Sequence, residues 1–99
     1  MRVALGAALG GMLLAACAGP QIPRPTTAQA QASGVSLDEL ESGRTTYLRR
    51  CTVCHEPVPP DRFTRAEWPG HVAEMRERAK VSDDEARLIE TYVTTMARP

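Results

Sequence analysis

Three Ser/Thr-x-x-Glu boxes punctuate the second half of this 99-residue chain: Ser36-Leu37-Asp38-Glu39, Thr64-Arg65-Ala66-Glu67 and Ser82-Asp83-Asp84-Glu85. In such a box the hydroxyl and the carboxylate satisfy amide donors that the first helical turn leaves unpaired, so each marks a helix start. Apolar residues follow each box at helical spacing. Leu37, Leu40, Tyr47, Leu48 and Cys51 share one face after the first, with Gly43 and Thr46 alongside. Trp68, His71, Val72, Met75 and Ala79 follow the second, and Leu88, Ile89, Tyr92, Val93 and Met96 the third. Pro69 falls later than the first helical position that proline prefers, so the second helix is expected to begin irregularly or nearer Trp68. Pro57, Pro59 and Pro60 forbid a helix between the first two and favour an extended loop. Arg78, Lys80 and Val81 are expected to form the turn before the last helix. Nothing alternates with period two for long. The expected fold is all-α, about three helices with no sheet, over residues 36–99.

Size and charge exclude several functions. The chain carries 12 Lys+Arg and 12 Asp+Glu, so it lacks the basic excess of a dedicated nucleic-acid binder. One small domain leaves no room for an enzyme with its own cofactor-binding domain. Four aromatic residues are few for a self-sufficient core, and a domain of about 60 residues buries only about 60% of its unfolded surface.

The first 16 residues, with Arg2 as their one charge and an apolar run from Val3 to Ala16, fit a secretory signal peptide. The run is short of the roughly 20 residues that span a bilayer. Leu14-Ala15-Ala16-Cys17 resembles the bacterial lipobox, which implies lipidation at Cys17 and attachment to the periplasmic side of a membrane. Ala18 after the cysteine is compatible with the outer membrane. Residues 17–35, rich in Pro, Gln, Ala and Thr, read as a flexible tether unable to bury a core. Such a tether would average roughly 25 Å as a random coil.

Cys51-Thr52-Val53-Cys54-His55 is the C-x-x-C-H pattern of covalent haem attachment. Two intervening residues place both thiols along one porphyrin edge, where they add to its two vinyl groups, and the next residue brings an imidazole under the iron. Attachment takes place in the oxidising compartment that the export signal implies. A dithiol oxidoreductase also uses C-x-x-C, but beside a βαβ pattern that is missing here. A structural zinc site would need four ligands, for which Cys51, Cys54, His55 and His71 are the candidates. The haem reading accounts for the export signal and supplies the missing core.

Gly43-x-x-x-Tyr47-x-x-x-Cys51-x-x-Cys54-His55, followed by Glu67-Trp68-Pro69, Met75, Ser82-x-x-Glu85 and Ile89-x-x-Tyr92-Val93, is similar to the small monohaem c-type cytochromes over residues 37–96. The resemblance implies one haem c, bound through Cys51, Cys54 and His55. It also implies a close crossing of first and last helices, with Gly43 against Tyr92. It implies electron transfer rather than enzymatic turnover, with redox proteins such as a periplasmic dehydrogenase or reductase as partners.

His55 is the expected proximal ligand. Met75, on the Trp68 face, is the expected sixth ligand, as in similar small domains; His71, Met96 or an open position are the alternatives. Two strong ligands would restrict the iron to electron transfer, and His/Met ligation raises its potential relative to bis-His. An open position would suit a haem-based ligand sensor. His55 Nδ1–H should meet a backbone carbonyl in the Pro57–Pro60 loop. Arg62 is a candidate partner for a haem propionate, and Trp68 N–H for a propionate or a carbonyl. Arg44, Arg49 and Arg50 form a possible docking patch for an acidic partner, while Asp83, Asp84 and Glu85 suit the last helix's N-terminus.

Overall fold

A computed structural model describes residues 10–11, 22–52 and 55–99. Cys17, the Leu14–Ala16 segment and Cys54 lie outside the described residues. The described residues form four helices, α1 (Thr27–Ser33), α2 (Leu37–Arg50), α3 (Trp68–Ala79) and α4 (Asp83–Met96), with a 3₁₀ turn at Pro60–Arg62 before α3. The described residues contain no strand, only an isolated parallel bridge between Thr64 and Arg98. None of their helices is long and apolar enough to cross a membrane.

The capping boxes act differently at each site. At α4 the box is complete: Ser82 accepts from the Glu85 amide and the Glu85 carboxylate accepts from the Ser82 amide. At α2 only the Ser36 half forms, because Glu39 reaches across to Arg87 on α4 instead, at 2.8 Å. The Thr64–Glu67 box closes one turn early. Thr64 and Glu67 bond reciprocally, but residues 65–67 form a turn and α3 begins at Trp68. That start places Pro69 in the first helical turn, where its missing N–H costs nothing. At the other end α3 runs through Arg78, assigned to a turn by the sequence reading, and stops at Lys80, whose φ of 55° is left-handed.

The fourth helix departs from the expected three. Residues 22–35, read as tether, pack on the helical body. Thr26 and Gln29 supply a further capping box for α1, and Gly34 ends it in the left-handed conformation. Glutamine replaces the glutamate of the other three boxes, and α1 has no apolar stripe to mark it.

α2 and α4 form the principal contact, α3 packs on α4, and α1 lies against both α2 and α4. All four aromatics converge on the core beside this crossing. Tyr47 meets Trp68 edge-on at 6.2 Å and Tyr92 at 6.2 Å, and Phe63 meets Trp68 edge-on at 5.2 Å, arrangements that the ring quadrupole favours. Val72, Val81, Ile89 and Val93 complete the core, and Cys51 closes it at one end.

Candidate functional site

Cys51, at the C-terminal cap of α2, is buried at the foot of a cleft of about 240 Å³. The other walls are His55 from the following loop and Glu74, Met75, Arg78 and Ala79 from α3. Cys51 and Met75 also wall a narrower crevice that reaches Val72, Val81 and Ile89. The structure therefore brings together three of the expected ligands of one prosthetic group. Among the described residues three larger hollows, about 450 Å³ between α1 and α4, about 640 Å³ beside Lys80 and about 340 Å³ between Arg76 and α4, are lined by no Cys, His or Met. Chemistry rather than size selects the smaller cleft.

The helices that form the cleft are fixed to each other by Arg50. Its Nη2 donates to the carbonyls of Ala79 at 3.3 Å and Lys80 at 3.0 Å, satisfying acceptors left open at the end of α3. Its Nε lies 3.4 Å from Glu85 of α4, without a hydrogen bond of good geometry. Arg49 also pairs with Glu85, and Arg44 donates to the Ile22 carbonyl. Arg44 and Arg50 thus hold the fold together internally. Glu85 and Asp83 are in turn occupied by Arg49, Arg50 and Arg76.

His55 is exposed at the cleft rim. Its Nδ1 lies 2.6 Å from the Glu56 carbonyl oxygen. A carbonyl only accepts, so Nδ1 is the donor of this bond, and in the neutral ring Nε2 then carries the lone pair that can ligate a metal. The carbonyl comes from Glu56, just before the prolines. Three of those beyond it are engaged: Pro59 accepts from the Arg62 amide, Val58 from the Tyr47 hydroxyl at 2.5 Å, and Pro60 from the Trp68 indole at 2.7 Å. Tyr47 also accepts from the Val58 amide at 3.1 Å. Pro57, Pro59 and Pro60 have no N–H, so a backbone ladder cannot hold this loop; two core aromatics do so instead. Tyr47 is thus a site-supporting residue that the sequence reading placed only in the core stripe. Its position one helical turn before Cys51 was the available signal.

Burial pushes the Cys51 thiol up to about 11, against a smaller opposing effect of the Arg50 charge. It is therefore protonated at neutral pH, unlike the low-pKa attacking thiol of a dithiol oxidoreductase. His71 faces away from the cleft, its ring stacked on Phe63 at 3.9 Å and edge-on to Trp68 at 6.0 Å. Met96 packs against the core without lining the cleft. Arg62 is exposed and also outside the cleft lining. Arg78 and Glu74, paired at 3.2 Å on the rim, were missed by the sequence reading although Arg78 lies three residues beyond Met75 on the same helical face.

A half-buried soft thioether, a histidine whose Nδ1 is held by a carbonyl and a thiol kept neutral by burial fit a covalently held iron porphyrin. No protein-family model, no curated protein and no solved structure matches the chain.

Proposed function

We propose that this chain is a membrane-tethered electron-transfer protein of the periplasm, carrying one haem c covalently attached at Cys51 and Cys54. The observation that carries this reading is the convergence of Cys51, His55 and Met75 on one cleft that opens to solvent at the His55 rim. When bound, haem supplies an iron that takes one electron from a donor and passes it to an acceptor. Cys51 and Cys54 would each hold the group by adding S–H across a vinyl group, the sulfur forming the thioether and the hydrogen going to the neighbouring vinyl carbon. His55 would ligate iron through Nε2, oriented by Glu56, and Met75 would offer its sulfur from α3. Met75 is favoured over His71 because it lines the cleft. The protein's own contribution is a low-polarity wall of Met75, Ala79 and the core beyond them, which limits solvent reorganisation around a one-electron step.

The deciding experiment is expression with cytochrome c maturation proteins. The exported chain should carry haem that survives denaturing electrophoresis and acid–acetone extraction, and Cys51→Ala with Cys54→Ala should abolish it. An unstained wild-type chain would exclude haem c. Carbon monoxide binding to the reduced wild type would favour a ligand sensor over a carrier.

A further inference from the structure

Five residues lie between the lipobox cysteine and the point where the chain joins the folded body, counting Ile22 itself. From Ile22 the chain is fastened. The Ile22 carbonyl accepts from Arg44 Nε at 3.2 Å and Nη2 at 3.0 Å, and the Pro23 carbonyl accepts from the Tyr92 hydroxyl. Ile22 packs against the core, and Pro25 and Ala30 are buried. α1 then lies against α2 and α4. The fastening donors project from α2 and α4, the two helices that form the main contact of the fold, so the strap is fixed to its central helix pair.

We propose that this strap holds the domain at the bilayer surface, with the Ile22–Pro25 edge nearest the lipid. The inference rests on lipidation at Cys17 and is independent of the haem reading. However residues 18–21 are arranged, five Cα–Cα steps span at most about 18 Å. Were the chain free as far as Val35, the same limit would be about 65 Å, and the root-mean-square spacing would about double. A short tether confines the domain to a thin layer above the membrane.

Neutron reflectometry of the full lipidated protein on a supported phospholipid bilayer tests the proposal without a label. Three chains are compared: wild type, a strap-release variant combining Arg44→Ala with Tyr92→Phe, and a variant with a flexible Gly/Ser stretch of roughly 15 residues inserted between Gln21 and Ile22. Wild-type protein density should begin at the headgroups. The inserted chain should stand off by about twice the spacing, and the release variant should move towards it. The insertion leaves every strap contact intact, so it remains informative if the release variant folds poorly. Wild-type density as distant as that of the inserted chain would overturn the proposal, as would a folded release variant that stays at the headgroups while the inserted chain moves away. A chain that carries no lipid at Cys17 would leave no protein layer at all, which separates failure of the anchor from failure of the strap.

Discussion

Gly43 on α2 lies so close to Tyr92 on α4 that a Cβ at Gly43 would come within 2.7 Å of the Tyr92 Cβ and overlap the Leu88 carbonyl oxygen. The backbone of α4 occupies the space a side chain would need. This approach sets the distance between the two principal helices, and the aromatic cluster is packed at that distance.

Gly43→Ala should therefore destabilise the domain although alanine favours helix by about 1 kcal/mol. Neither a backbone carbonyl nor a Cβ can rotate out of the way, so the helices must separate. Overpacking of this kind costs about 1–3 kcal/mol, and the lost aromatic contacts should place the net effect near the top of that range. Urea titration of the haem-loaded protein checks it: a midpoint at or above that of wild type would contradict the close packing.

Tyr47→Phe retains the ring and removes both bonds to Val58. Unpaired, partly buried backbone groups cost about 1–3 kcal/mol, so stability should fall by about that amount. The Val58 amide should also lose protection from hydrogen exchange. In the haem-loaded protein the reduction potential should rise, because a looser loop weakens the Nδ1–H···O bond that makes His55 the better electron donor to iron. A loss of stability with unchanged potential would limit Tyr47 to packing.

Met75→Ala should erase the weak far-red sulfur-to-iron absorption band of the oxidised protein and open the reduced iron to carbon monoxide. His71→Ala should preserve that band and weaken only the packing of Phe63 and Trp68. The opposite pattern, in which His71→Ala opens the iron, would transfer the sixth ligand to His71.

The Glu85 carboxyl is held below the usual carboxylate range, first by the Ser82 amide and also by Arg50 and Arg49. A depressed folded-state value means that the ionised group adds stability above the unfolded value near pH 4.5, and that this is lost as pH falls through the lower folded value. Glu85→Gln should lower the thermal midpoint at pH 7. The difference from wild type should shrink through that acidic window and vanish below it. A difference that persists unchanged once pH lies below the depressed folded-state value would assign the effect to something other than charge.

The sequence determined those features that depend on neighbours along the chain. Ser36 and Ser82 cap their helices through bonds to residues three positions on, and the C-x-x-C-H spacing is covalent. Gly43 and Tyr92 were recognisable as a crossing pair from the resemblance. Only the tertiary structure decided that residues 22–35 belong to the body. Their composition lacks an apolar stripe, and what fastens them is Arg44, 22 positions away, and Tyr92, 69 positions away. It likewise turned His71 towards Phe63 and Met75 towards Cys51, although both lie on the same helical stripe. The rotation of α3 about its axis is set by Trp68, whose indole must reach the Pro60 carbonyl, and by the packing of Val72 into the core. Contacts of that range have no periodicity along the chain, so no local pattern encodes them.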